Sequence, residues 1–493
     1  MKIIEKKNKK YNVGLAHGVF DILHIGHIEY FRKAKTLCNK LLVSVTEDKF
    51  VNKGPNRPAF STSERVRMLN SIKYIDQVIV SKNFSAVKII NQLKPDIYFK
   101  GKDYKNLIKN PNRNLKLEIN AVKKNKGKFF IIDTKLKSSS KILNENFNYL
   151  DKEVINFLKK INKQNFGEKL KEYLFKISNK KILIIGEPII DIHCNVNVLG
   201  KSQKSNVVST NFVKNEEFGG GSILAANFMR EFFEKVDLLA FINSDNIKLF
   251  NKFLNKKINL KKISSETERI IKKKRFVDEY SKNKLFQINH NEKYKLSDKN
   301  ENLYFNKLKK IIKNYDELVI FDYGYGYMFD KNLRLFKKYP NKININCQTN
   351  SSNFGFNLIS KYYNGNIASV DEVEFRLCVK NKNEPILSLI KKNKEIINRF
   401  KIFIITMGIK GCYIVHKNKV FYIPTVFKNT FDTTGCGDIF FSTFVFFNSL
   451  KKFGIYELGL LSHIAAGMHA NYQGNKNLIN KNNLFQIIQA VVK

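Results

Sequence analysis

Short apolar runs alternate with polar and amphipathic stretches along most of this chain. Residues 11–16 read as a buried strand, and residues 28–38 behind them as an amphipathic helix. Residues 41–45, 76–80, 96–99 and 129–133 read as further strands. Ser61 or Thr62 is placed to cap a helix that begins beside them. The alternation returns further on, with strand-like runs at 181–186, 236–241, 318–321, 343–346 and 402–406. Strands alternating with helices predict an α/β protein whose mainly parallel sheets are covered by helices. Between the two blocks, Val154, Phe157, Leu158 and Ile161, then Leu170, Tyr173 and Leu174, recur at helical spacing, broken near Asn165-Phe166-Gly167. This divides the chain into a first domain over 1–143, a helical connector over 144–178 and a second domain over 179–493.

Composition narrows the partners more than the fold. The 493 residues carry a formal net charge of +45, with 43% hydrophobic positions. That content supports sizeable cores and argues against global disorder. Lysine is interleaved with Asn and Ile along most of the length, as in Lys123-Lys124-Asn125-Lys126. We read a generally basic, solvated surface rather than a dedicated nucleic-acid site. Such a field still attracts phosphorylated small molecules. The six cysteines are scattered, with no Cys-x-x-Cys pair, as expected of a reducing cytoplasm. No apolar run approaches the ~20 residues needed to span a bilayer. Residues 1–10 lack the apolar segment of a secretory signal.

Three of the eight histidines, His17, His24 and His27, fall in one stretch, Ala16-His17-Gly18-Val19-Phe20-Asp21-Ile22-Leu23-His24-Ile25-Gly26-His27. His24 and His27 lie where the first strand hands over to a helix. Unpaired N–H groups and the helix dipole favour anions there. Two imidazoles separated by Gly26 can donate hydrogen bonds to a phosphate as charge builds on phosphorus. A zinc site is a weaker reading, because no cysteine is near and Glu29 follows His27 too closely. This stretch resembles the cytidylyltransferase-like family of nucleotidyltransferases. The likeness continues through Glu64-Arg65, through Lys100-Gly101-Lys102-Asp103-Tyr104, and through Ser138-Ser139-Ser140 after the last strand. The resemblance implies a Rossmann-like domain in which His24 and His27 are catalytic. It also implies that His17, Gly18, Phe20, Lys102, Ser138, Ser139 and Ser140 bind nucleotide and phosphate.

Phe431-Asp432-Thr433-Thr434-Gly435-Cys436-Gly437-Asp438 precedes a strongly apolar run that reads as a buried helix. Backbone N–H groups from Gly435 to Asp438 would form an anion hole, and Asp438 could take a proton from an attacking hydroxyl. The string is similar to the ribokinase/PfkB signature, and the likeness covers most of 180–475. Gly186-Glu187-Pro188-Ile189-Ile190-Asp191, Phe218-Gly219-Gly220-Gly221-Ser222 through Asn227, Lys273-Lys274-Arg275 and Thr406-Met407-Gly408-Ile409-Lys410-Gly411 match further elements. By this resemblance Asp438 is the catalytic base. Thr406, Gly408, Gly411, Gly435, Cys436 and Gly437 hold nucleotide phosphates. Asp191, Gly219, Gly220, Asn227 and Asp432 line the sugar side, and Glu374 holds magnesium indirectly. Three positions depart from the pattern: Ile223 and Asp371 each stand where Asn is usual, and Cys436 where Ala is usual.

Together the halves resemble the bifunctional heptose-phosphate kinase/adenylyltransferases, which make ADP-heptose for bacterial lipopolysaccharide, with the two domains here in the opposite order. The resemblance implies a cytoplasmic enzyme using ATP, sugar phosphates and Mg2+. A monovalent cation such as K+ is implied near the Asp432 loop. Kinases of this family often form homodimers through a lid, and no residue here decides that state. Two alternatives stay open. One is a CTP-dependent polyol-phosphate cytidylyltransferase fused to a different sugar kinase. The other pairs the transferase with a non-catalytic kinase fold that binds ligand only.

Overall fold

The computed structural model describes residues 10–51, 57–102, 113–133, 151–162, 166–427, 430–472, 474–475 and 479–492. The chain divides into two compact units, Met1–Lys152 and Glu153–Lys493.

The first unit is built on β1 (Tyr11–Gly18), β2 (Cys38–Thr46), β3 (Gln77–Ser81), β4 (Ile97–Gly101) and β5 (Lys128–Ile132). They form a five-stranded sheet in the order β3-β2-β1-β4-β5, parallel throughout. Both faces are covered, which is why these strands read as continuous apolar runs rather than alternating ones. Phe31, Ala34, Val43 and Leu69 pack one face, and Ile90, Tyr98 and Val122 the other. Gly14 leaves no room for a side chain, since a Cβ there would stand 2.6 Å from both Cys38 Sγ and the Phe99 ring. The strand order reverses between β1 and β4, so their carboxyl ends flank the crevice where open parallel sheets bind ligands.

Ser61 caps the helix Thr62–Asn70 and shares a capping box with Glu64. Thr62 instead exchanges hydrogen bonds with Asp48, at 3.0 Å in each direction. Arg65 of this helix is fully buried. Its guanidinium donates to Val19 O at 2.7 Å, Thr46 O at 2.9 Å and Phe60 O at 3.0 Å, and pairs with Asp48 at 2.5 Å. One planar fork thus pins the ends of β1 and β2 to the start of the helix.

The second unit contains β6 (Ser178–Gly186), β7 (Pro188–Lys201), β8 (Val208–Gly221), β9 (Phe233–Ile242), β10 (Asn259–Ser264), β11 (Ile271–Asp278), β12 (Lys284–His290), β13 (Glu317–Asp322), β14 (Ile343–Cys347), β15 (Gly365–Asp371), β16 (Phe400–Thr406), β17 (Cys412–His416) and β18 (Lys419–Ile423). A nine-stranded sheet runs β10-β9-β6-β13-β14-β15-β16-β17-β18. It is parallel up to β16, and its last two strands are antiparallel. A separate four-stranded sheet runs β12-β11-β7-β8, in which only β11 and β7 are parallel. Apolar runs predict β6, β9, β13, β14 and β16 of the large sheet, and leave β10, β15, β17 and β18 unmarked. They do not predict the small one, because much of β8 and nearly all of β12 lie exposed and scatter their apolar residues among polar ones, with no unbroken run.

The aromatic run of the helix Cys436–Ser449 is buried on every side from Asp438 to Phe447, as an apolar helix with no polar face must be. Its Phe441 meets Phe321 of β13 at 5.6 Å between ring centroids. The helices Lys152–Asn162 and Phe166–Leu174 pack within this unit, Phe157 against Tyr456 at 5.8 Å and Phe166 against Phe453 at 6.5 Å. Among the described residues, no helix is long and apolar enough to cross a membrane.

Candidate active sites

In the first unit the histidines gather at the end of β1. His24 is the N-cap of the helix Ile25–Leu37, with extended backbone and Nδ1 accepting from Gly26 N at 3.1 Å. His27 sits in the first turn, its ring 4.0 Å from that of His24 and inclined by 30°. The helix start therefore presents two imidazoles at the positive end of the helix dipole. Phe20 turns the chain with a positive φ of 49° and lays its ring edge-on to His27 at 5.7 Å. Gly18 gives that ring room, since a Cβ there would stand 3.0 Å from Phe20 Cζ.

His17 contacts Ser44 Oγ at 3.2 Å and Thr46 Oγ1 at 3.5 Å. Burial and then the Lys100 ammonium push its pKa down, so the ring is neutral at pH 7. Lys100, buried on β4, pairs with Glu118 at 3.2 Å. The sequence motif singles out Lys102. That residue pairs with Asp133 at 2.7 Å on an open surface, whereas Lys100 stands at the strand-order reversal. The signal for Lys100 was a lysine inside an otherwise apolar strand. Ser138, Ser139, Ser140, Asp103 and Tyr104 lie outside the described residues. Glu29 is taken by Arg32 at 2.7 Å, and among the described residues no cluster of His, Cys, Asp and Glu could hold a metal ion.

In the second unit Asp438 is the focus. It lies in the first turn of the helix Cys436–Ser449, whose N-cap Gly435 has φ 77°. The positive φ favours glycine there, and a Cβ would stand 2.6 Å from Leu224 Cδ2. Asp438 Oδ1 accepts from Asn346 Nδ2 at 3.1 Å and Gln348 Nε2 at 2.7 Å. Burial pushes its pKa up to about 7, although the Tyr323 phenol, the Gln348 amide and Lys273 pull the other way. Neither Asn346 nor Gln348 stood out in the sequence, since isolated polar residues at strand ends carry no pattern.

On one side of Asp438 a half-open cavity of about 130 Å³ is lined by Thr406, Gly408, Cys436 and Gly437, with Phe427, Phe440 and Gly467 as apolar wall. Its mainly apolar wall with a few hydroxyl groups suits the base of a nucleotide rather than its phosphates. Gly411 does not line it. Its φ of 90° and its close fit to Ile423 O make it the turn into β17.

The residues with which Asp438 interacts electrostatically include Asp191 and Lys273. Asp191 is buried, bonded to Arg275 of β11, and accepts from Asn475 Nδ2 at 3.1 Å. Gly220 makes room for it, because a Cβ there would collide with Asp191 Oδ2. Asn475 also donates to Gly219 O at 3.2 Å. Asn227 does not join this group through any hydrogen bond. Its amide donates to Phe253 O at 2.8 Å and accepts from Asn255 N at 2.9 Å, bracing the segment that packs on Gly219. Ile223 is fully buried beneath Gly219, so an apolar residue there is core packing.

Asp432 is bonded to Lys284, Thr434 and Gly474. Burial alone would raise its pKa, but these donors hold it below the usual carboxylate range. Glu374 forms a capping box with Asp371, and its second oxygen accepts from Thr349 N at 2.8 Å. Burial, then the Asp371 charge, push Glu374 upward.

Comparison with known proteins bears on both units. Residues 179–447 match the pfkB family carbohydrate kinase model, and residues 15–145 match the Cytidylyltransferase-like model. Over the N-terminal domain the chain is 38% identical, across 100 residues, to the Bifunctional protein HldE of Paramagnetospirillum magneticum, covering 20% of each chain. It is 39% identical across 108 residues to the HldE of Helicobacter pylori, covering 21% of this chain and 23% of that one. The chain thus matches about a fifth of the length of these relatives. Among solved structures, a mutant phosphofructokinase-2 from Escherichia coli aligns with TM-score 0.50 and 12% identity, covering 64% of this chain and all of that one. That likeness concerns the fold of the second unit.

Proposed function

The chain belongs to the pfkB family of carbohydrate kinases, and from that premise we propose a bifunctional enzyme of nucleotide-sugar synthesis. One unit is an ATP-dependent kinase for a sugar or sugar phosphate. The other joins a sugar 1-phosphate to a nucleoside triphosphate, in the manner of an ADP-heptose synthase. The observation that carries the reading is Asp438, a buried carboxylate at a helix start, between the apolar cavity and the Asp191 cluster.

In the kinase, Asp438 takes the proton of the acceptor hydroxyl as that oxygen bonds to the γ-phosphorus. The bond from γ-phosphorus to the β-bridging oxygen breaks, and ADP leaves. N–H groups from Gly435 to Asp438 stabilise the charge on the transferring group. Asp191, held by Arg275 and Asn475, orients sugar hydroxyls. Mg2+ supplies charge neutralisation along the triphosphate when bound. The residues fit a loosely held ion: Glu374 already accepts two backbone N–H groups and would reach it through water.

In the transferase, an oxygen of the sugar 1-phosphate attacks the α-phosphorus, and pyrophosphate departs with the broken bond's electrons. His24, His27 and the helix start favour the added negative charge, with Lys100 and His17 behind them. The match to a cytidylyltransferase-like model favours a second reading, in which CTP and a polyol phosphate are the substrates.

The test is mass spectrometry of products from ATP or CTP with a panel of heptose, hexose and polyol phosphates. His24→Ala should abolish pyrophosphate release and leave sugar phosphorylation intact. Asp438→Asn should do the reverse. If either variant loses both activities, two independent sites are the wrong picture. Products formed only from CTP would select the second reading.

A further inference from the structure

The family likeness implies a monovalent cation beside the Asp432 loop, and the residues present do not fit one. The strongest ligand this loop offers a cation is its buried carboxylate, Asp432. Its Oδ1 accepts from Lys284 Nζ at 2.7 Å, Thr434 Oγ1 at 2.7 Å and Thr434 N at 3.0 Å. Its Oδ2 accepts from Gly474 N at 2.9 Å. Lys284 Nζ also contacts Thr434 Oγ1 at 2.7 Å, closing a triangle of ammonium, carboxylate and hydroxyl. A carboxylate this buried is costly unless a positive charge answers it, and the ammonium already does so.

We propose that Lys284 is a built-in replacement for the monovalent cation, so that this kinase needs no potassium. It is a positioning residue: it acts through Asp432 and Thr434 on the Gly435–Asp438 turn, and touches no reacting atom. Two further features support the assignment. Lys284 comes from β12, the edge of the small sheet, 148 residues before its partner, so the pair ties that sheet to the anion-binding loop. His469 Nε2 meets Thr434 O at 3.0 Å, so the turn is held by a second group besides the ammonium. The pair is also asymmetric, with Asp432 4% exposed and Lys284 40% exposed. The ammonium enters from the solvent side, and truncating it opens a space that a small cation can enter.

The proposal rests on the kinase reading, so its first test does not use turnover. Crystals of the full chain soaked in thallium(I), a potassium surrogate, should show no anomalous peak on Asp432, whereas Lys284→Ala crystals should show one. A peak on Asp432 in the unaltered protein overturns the proposal. In solution, replacing potassium by choline should change the unaltered kinase rate by less than about twofold, a screening effect only. Lys284→Ala should lose about tenfold or more, the scale of one lost charge-assisted hydrogen bond. Potassium or ammonium, but not choline, should restore the variant. A potassium requirement in the unaltered protein, or a Lys284→Ala defect that no cation restores, overturns the proposal. Should the variant fail to fold, the two measurements on the unaltered protein still decide it. Absence of sugar phosphorylation in every salt would instead remove the kinase reading.

Discussion

Replacing Gln348 by Leu should move the acid limb of the kinase pH profile. Asp438 must be ionised to accept a proton, and burial places its pKa at about 7. Activity therefore falls as pH drops through that value, with about a tenth of the base ionised one unit below. Gln348 donates to Asp438 Oδ1 at 2.7 Å, a bond that favours the charged form. Hydrogen bonds to charged groups are worth about 1.5–3 kcal/mol, or roughly one to two pKa units. Asn346, at 3.1 Å, and the Tyr323 phenol remain to compensate, so we take the lower figure. The midpoint should rise by about one unit, and kcat/KM at pH 7 should fall about fivefold and recover near pH 9. Leucine is close in volume to glutamine and leaves no unpaired polar group, which limits the structural cost. The assay is kcat/KM for sugar phosphorylation over about pH 5.5 to 9.5. A lowered plateau with an unmoved midpoint would mean that Gln348 binds substrate instead. A midpoint shifted downward would refute the electrostatic reasoning altogether.

Two further outcomes concern stability. Arg65→Lys should destabilise the first unit by about 2–4 kcal/mol in urea unfolding, because an ammonium cannot replace a buried fork that serves three carbonyls and Asp48. A loss under about 1 kcal/mol would show the pin to be dispensable. Asp371→Asn should raise the melting temperature at pH 8 and leave it unchanged at pH 5. Glu374 has a raised pKa in the folded protein, so stability is lost as pH rises through that value, and removing the Asp371 charge lessens the loss. Asparagine caps as well as aspartate, and because Asp371 is exposed the gain is only roughly 0.5–1 kcal/mol. A fall at pH 8 would contradict that sign.

Both candidate turns were legible in the sequence, because each combines glycines with chemistry-bearing residues where an apolar strand or loop meets a helix. His24 at an N-cap and Asp438 in a first turn are local outcomes of that pattern. The shell around them was not. Lys100 with Glu118, Gln348 with Asp438 and Lys284 with Asp432 join residues 18, 90 and 148 positions apart. Isolated polar residues have no periodicity to betray a distant partner.

Sequence alone marked most strands of the parallel sheets, since burial on both faces favours apolar runs, while β10 and β15, interrupted by Lys, Asn and Ser, carry no such run. It marked as well the two turns at which we propose that phosphate chemistry takes place. Only the tertiary structure decided which charges meet: that β12 delivers an ammonium to Asp432, and that Gly220 stays bare so Asp191 can pack beside it. The physical reason is that hydrophobic burial is written in local periodicity, whereas electrostatic partnership depends on where the folded chain brings single atoms together.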